Sequence, residues 1–264
     1  MPCHMHQRAG QLFVFAVLLA AFSAAGAEKL ASIIIDDLGN NYEQGQTVVN
    51  FPAALTLSIL PQTTFATTLA TQAYAKNKEV MLHLPLQSVG HHKLSPGTLK
   101  LHMTRQQFEQ SLRQNLASVP HVRGINNHMG SLLSQHPGHM DWLMAEISTL
   151  DNIYFIDSRT SHKSVIADTA SHYRIPNLVR DVFLDPDVKP DTIRKQFDRF
   201  IDVAKKKGYA IAIAHPYPTT LSFLRNNLDK LAEHGIELVP VSKLLELRGN
   251  KNHVTCTGPT CSGL

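Results

Sequence analysis

Cysteine is scarce in this 264-residue chain: Cys3, Cys256 and Cys261 are the only three. No four-thiolate metal cluster can be assembled from them. Cys256 and Cys261 share a polar tail, TCTGPTCSG, where they can form a small local disulfide or half of a metal site that no further cysteine completes. Long apolar runs are also lacking. The one candidate, QLFVFAVLLAAF at residues 11–22, is shorter than the roughly 20 residues that span a bilayer. Charge of one sign is lacking too. The formal excess is only +4, and it is scattered, so composition gives no case for nucleic-acid binding. No G-x-S-x-G elbow, P-loop or G-x-G-x-x-G is present, and no cysteine stands near a plausible base. These gaps exclude the common serine-hydrolase, nucleotide and thiol chemistries. Asp36 and Asp37, adjacent in sequence, do not make the facing carboxylates of a glycosidase.

The apolar run at residues 11–22 follows Arg8 and precedes SAAGA, with Ala25 and Ala27 spaced as at an A-x-A cleavage site. That is the three-part pattern of an export signal, so residues 1–27 are expected to be a leader and the mature chain periplasmic or secreted, with no membrane span. An uncleaved N-terminal anchor is the alternative. Cleavage after Ala27 leaves a chain within the roughly 200–250 residues of a single α/β barrel. Residues 28–248 are expected to form that domain, and residues 249–264 a flexible tail.

Apolar, β-branched runs recur at residues 31–35, 55–60, 80–84, 122–126, 153–156, 178–184, 210–214 and 236–241. Several are continuously apolar, as in strands buried on both faces. Helical patterns lie between them at 64–76, 104–118, 137–150, 167–173, 191–207 and 219–234. Gly208 and Gly235 stand where the last two helices end. The βαβα order predicts a mainly parallel sheet clothed in helices. The expected fold is α/β, a distorted (β/α) barrel of seven or eight mainly parallel strands, with a doubly wound open sheet as the alternative. The longest irregular stretch, residues 87–103, is of a length usually functional or mobile.

Polar residues gather just after the apolar runs. Asp36-Asp37 follow the first, His83 the third, Asn126-Asn127-His128 the fourth and Asp157-Ser158-Arg159 the fifth. Arg180, Asp181 and Asp185 belong to the sixth, and His215 follows AIAIA in the seventh. In a parallel barrel these ends share one face, the face where active sites form. Taken alone, the aspartate pair reads as a helix cap beside a solvated neighbour, and each histidine as a packed core residue. Taken together, two histidines and an aspartate from separate strands make a His₂-carboxylate set for a divalent ion, with positions left for water and substrate. Zinc is the first expectation on softness and availability. The second carboxylate is then free to act as a base. His215 is placed to act as a general acid. Asn127, Asp157, Arg159, Asp181 and Tyr217 are candidates for holding substrate or supporting the catalytic groups. Arg159 and Asp181 can equally be a buried ion pair.

At these residues the chain resembles the divergent polysaccharide deacetylase family, related to the NodB-type carbohydrate esterases. The matching stretches are IIIDDLG at 33–39, VMLHLPLQ at 80–87, GINNHMGS at 124–131, FIDSRTS at 155–161, RDVFLD at 180–185 and IAIAHPYPTT at 211–220. The resemblance implies a distorted (β/α) barrel with a bound divalent metal, acting on a polysaccharide or amino sugar. It implies Asp36 as the base, Asp37 as a ligand and His215 as the acid. The chain departs from the wider family in having no H-x-x-x-H at the matching place, so His83 and His128 are expected to be the metal histidines, one from each of two strands. The R-x-P-Y motif is absent as well. A metal-dependent hydrolase removing acetyl groups is the expected function. The alternatives are a catalytically degenerate carbohydrate-binding or regulatory protein, and a metal-dependent cell-wall amidase.

Overall fold

The computed structural model describes residues 29–90 and 93–253. The expected leader, His91 and His92, and the two tail cysteines lie outside the described residues. Among the described residues there are nine parallel strands: β1 (Lys29–Leu38), β2 (Thr56–Ile59), β3 (Glu79–Leu86), β4 (Val122–Met129), β5 (Tyr154–Asp157), β6 (Asn177–Val179), β7 (Val182–Phe183), β8 (Tyr209–Ala214) and β9 (Ile236–Leu238). The helices are α1 (Tyr42–Val49), α2 (Ala66–Ala75), α3 (Arg105–Ser118), α4 (Pro137–Ile147), α5 (Ile166–His172), α6 (Pro190–Lys207), α7 (Pro218–Asn227), α8 (Asp229–Glu233) and α9 (Val241–His253). Strand order is β6-β5-β4-β3-β2-β1-β8-β7, with β9 beside the start of β1. No described helix is long and apolar enough to cross a membrane.

The run at 178–184, expected as one strand, is two strands at opposite ends of this order. Arg180 N–H still bonds the Asp157 carbonyl of β5, whereas Asp181 N–H already bonds the Ile211 carbonyl of β8. Two residues span no more than about 7 Å, so the two edges of the sheet must meet here. The sheet is therefore curled into a barrel with a seam at Arg180–Asp181.

Alternation along each strand sorts the side chains into two cores. Ala31, Ile33 and Ile35 of β1, Leu82 of β3, Ile125 of β4 and Phe155 of β5 face the helices. Leu30 and Ile34, Met81, Tyr154 and Ile156, and Ile211 and Ile213 face the axis, joined by Val241 and Leu244 of α9. This double burial explains the continuously apolar runs. Helix α9, which the sequence pattern left as a strand end and tail, closes the base of the barrel. Its first turn is held by Glu79, whose carboxylate accepts from Ser242 N–H (3.2 Å), Tyr154 O–H (2.7 Å) and Thr56 O–H (3.0 Å). A carboxylate at a helix N-terminus is favoured by the helix dipole.

Local chemistry sets the helix starts. Thr104 and Gln107 form a reciprocal capping box on α3, and Pro stands in the first turn of α4, α6 and α7. Helix α1, unforeseen in its polar sequence, is capped by Asn41. A Cβ on its Gly45 would meet the Leu69 side chain of α2, which would have to shift.

Candidate metal and catalytic centre

Residues of an extended strand alternate between faces, so Asp36 and Asp37 should point opposite ways. They do not. The β1–β2 register slips between Ile35 and Leu38, and Asp37 takes a left-handed backbone with φ 60°. Asp tolerates this conformation better than most residues. The kink brings both carboxylates to the mouth of the barrel, a local strain of order 1 kcal/mol of the kind that gathers at functional sites.

His83 of β3 and His128 of β4 meet Asp37 there. Asp37 Oδ1 lies 3.1 Å from His83 Nε2 and 3.0 Å from His128 Nδ1, and the two ring nitrogens are 3.1 Å apart. Asp36 Oδ2 is 3.6 Å from the same His83 nitrogen. Asn126, two residues before His128 on the same face, organises the group. Its Nδ2 donates to Asp36 Oδ1 (2.8 Å), while its Oδ1 accepts from Ser58 O–H (2.7 Å) and from His83 Nδ1–H (2.8 Å). With Nδ1 carrying the proton, a neutral His83 presents its Nε2 lone pair to Asp37 and His128.

Three lone-pair donors therefore face one another at 3.0–3.1 Å. Asp37 Oδ1 is buried and receives no hydrogen bond. Donors bound to a single ion at about 2.0–2.2 Å stand about 3.0–3.5 Å apart. These residues thus fit a divalent cation in spacing, in donor type and in their unsatisfied atom, and Asn126 supplies the supporting hydrogen bond that metal-binding histidines usually have. Among the described residues no other trio of His, Cys, Asp or Glu converges in this way. The electrostatics agree. Burial would raise the Asp37 carboxyl, but the His128 and His83 imidazoles against it hold it well below the usual carboxylate range. Burial would lower His83, but Asp36, Asp37 and Asn126 bring it up.

His215 follows β8 on the far side, its Nε2 3.8 Å from Asp37 Oδ2. Its Nδ1–H donates to Asp185 Oδ1 (2.9 Å), and its backbone N–H to Asp185 Oδ2 (2.8 Å). Asp185 is fully buried and also accepts from Thr220 O–H (2.9 Å). Burial works against charge on His215, but the Asp185 hydrogen bond and charge, helped by Asp36 and Asp37, push its pKa up to about 9. Tyr217 caps α7 beside it, with ring centroids 5.6 Å apart.

The other sequence candidates behave differently. Asn127 lies on the helix-facing side and joins loops, accepting from Ser158 N–H and donating to the Met129 carbonyl. Asp157, two residues after Phe155, shares that side, and its Oδ1 accepts from Arg159 N–H. Arg159 is exposed at the rim. Asp181 is not brought to the cluster: its carboxylate accepts from Ile211 N–H and pairs with Lys207, the last residue of α6, two residues before β8 starts at the opposite end of the barrel. It forms no ion pair with Arg159. The geometry adds Asp185, Asn126 and Ser58. The two-residue spacing of Asn126 and His128 was the available signal for one, and the close of the RDVFLD stretch for another.

A model of the divergent polysaccharide deacetylase family matches residues 33–245, and the chain belongs to that family. It is 36% identical over 234 residues to the uncharacterized protein YibQ of Escherichia coli (strain K12), covering 89% of this chain and 72% of that one. The structure of the uncharacterized protein ATU2773 from Agrobacterium tumefaciens C58 superposes with a TM-score of 0.79 at 21% identity, covering 84% of this chain and 91% of that one. The peptidoglycan deacetylase PdaC from Bacillus subtilis superposes at 0.52 and 14% identity, covering 86% and 95%. These likenesses establish the (β/α) barrel of the carbohydrate-esterase deacetylases as the fold.

Proposed function

We propose, with membership of the divergent polysaccharide deacetylase family as the premise, that this chain is a metal-dependent hydrolase removing N- or O-acetyl groups from a cell-envelope polysaccharide or amino sugar. The observation that carries the reading is the triangle of Asp37 Oδ1, His83 Nε2 and His128 Nδ1, flanked by the Asp36 carboxylate on one side and a carboxylate-backed histidine on the other. A divalent cation held by that triangle, zinc being the first choice for two imidazoles and a carboxylate, would polarise the acyl carbonyl and make a water more acidic.

The chain's own residues supply the proton transfers. Asp36, oriented by Asn126, accepts one proton of the attacking water while the water oxygen bonds the acyl carbon. His215, held cationic by Asp185, donates its proton to the nitrogen as the carbon–nitrogen bond breaks, releasing acetic acid and a neutral amine. For an O-acetyl group the same proton goes to the leaving alkoxide. Work outside the cytoplasm follows from the leader-like residues 1–27 alone.

The test is acetate release from N-acetylated oligosaccharides by the purified, metal-loaded protein. Asp36→Asn is expected to lower turnover by about 10²–10⁴ while retaining stoichiometric metal. Full activity in that variant rules out Asp36 as the base. Failure of the parent protein to take up one divalent ion after mild purification rules out the metal centre itself.

A further inference from the structure

The residues facing the axis at the mouth can be followed around the barrel. Asp36 and Asp37 on β1, Ser58 on β2, His83 on β3, Asn126 and His128 on β4 and His215 after β8 all have parts in the proposed chemistry. Two positions on the remaining wall do not. The β4–β5 register pairs Gly124 with Tyr154 and Asn126 with Ile156. Continued by two residues, that register would set Ser158 beside His128, about one strand spacing (roughly 5 Å) away. Ser158 continues the axis-facing series Tyr154, Ile156, and it is only 2% exposed. Its backbone N–H is fixed by Asn127, yet its hydroxyl oxygen is buried with no hydrogen-bond partner. A buried hydroxyl left unpaired is costly unless something else satisfies it.

The next position around is Arg180, two residues after axis-facing Leu178 and at the seam of the sheet. Nε donates to the Ser158 carbonyl (2.7 Å) and Nη2 to the Arg159 carbonyl (3.3 Å), which fixes the plane of the guanidinium. Its Cζ lies 3.6 Å from the centroid of the Phe183 ring, and that ring lies nearly parallel to His215 with centroids 6.4 Å apart. Arg180 makes no ion pair with any described carboxylate, and its Nη1 donates to no described group. Burial, reinforced by the charges of Arg159 and Arg199 and only partly offset by Asp157 and Asp181, brings its pKa down to about 10. A half-buried guanidinium without an anion lacks the partner such groups usually have.

We infer that Ser158 and Arg180, with Arg159 at the rim, form an anion subsite on the wall between His128 and His215, and that the substrate is an acidic amino sugar bearing a carboxylate or phosphate near the acetylated position. This deepens the proposed function and rests on it for the placement of the acetyl group over the three donors. A guanidinium held flat on an aromatic ring with free N–H donors suits an oxyanion, and the unpaired hydroxyl beside it supplies one further donor.

The experiment measures binding, so it stands whether or not turnover is observed. Affinities of the metal-loaded Asp36→Asn protein are determined by calorimetry for N-acetylglucosamine, N-acetylmuramic acid and N-acetylglucosamine 6-phosphate. At least tenfold tighter binding of one acidic sugar than of N-acetylglucosamine is expected, and which one identifies the source of the anion. Adding Arg180→Gln is expected to collapse that preference to within twofold, and Ser158→Ala to reduce it severalfold. Because Arg180 also braces two loop carbonyls, Arg159→Gln is measured in parallel and should weaken only the acidic sugar. No preference for either acidic sugar overturns the inference. So does a preference that survives Arg180→Gln but vanishes on metal removal, since the ion alone then reads the charge.

Discussion

His215 and Asp185 are joined twice, ring to carboxylate at 2.9 Å and backbone to carboxylate at 2.8 Å. The double attachment fixes both the tautomer and the aim of the imidazole. It also predicts a pH effect. The acid form of His215 is the useful one, and with Asp185 present it persists up to about pH 9. Activity limited by that proton is therefore retained below this value and lost as pH rises through it. Asp185→Asn removes the supporting charge, so the alkaline limb of the kcat profile should move down toward the ordinary histidine range near 6.5. An unmoved limb assigns the proton to another group.

Asn126 touches both Asp36 and His83 but is not itself among the three donors. Removing such a support typically weakens metal binding by about 10- to 100-fold. Asn126→Ala is expected to do so in a competition titration against a chelator. Ser58→Ala, which removes one of the hydrogen bonds to Asn126, should have a smaller effect in the same direction. Equal metal affinity in all three proteins would show that the amide has no such role.

At the far end of the barrel, Tyr154 O–H donates to buried Glu79. Burial and the neighbouring carboxylate keep the phenol protonated well above its usual range. Tyr154→Phe deprives that carboxylate of one donor and should cost about 1–3 kcal/mol of stability, read by denaturant unfolding. Metal affinity should be unchanged, because the substitution sits at the opposite end of the interior.

Gly45 offers a contest between two effects. Alanine is better than glycine in a helix by about 1 kcal/mol. The added methyl, however, meets Leu69, and overpacking of this kind costs about 1–3 kcal/mol. Gly45→Ala is expected to lower Tm. A raised Tm would mean that α2 gives way easily.

Much of this architecture could be read from the chain alone. Continuous apolar runs separated by helical patterns predict a parallel barrel, and polar residues at the ends of those runs predict which face is active. That is why Asp36, Asp37, His83, His128 and His215 were identifiable and do converge. Alternation carried the part that was missed. Asn127 and Asp157 follow strands as suitably as their neighbours, yet period two turns them toward the helices, while Asn126 and Ser158 look inward. Asp181 misled for another reason. It sits in an apolar run that reads as one strand, and no local pattern reveals that the chain changes edges there. Nor does composition show that Asp37 takes a left-handed backbone, although only that kink lets two consecutive carboxylates share a side.

The seam at Arg180–Asp181 has an outcome for the molecule's behaviour among its neighbours. An open sheet offers two rows of unpaired amides and carbonyls on which a foreign chain can lay a strand. Here the short outer strands turn those rows toward one another, so association that begins by strand addition finds little to grip. A substitution that springs this dipeptide apart should show itself first as clumping in concentrated solution, before any loss of secondary structure is detectable.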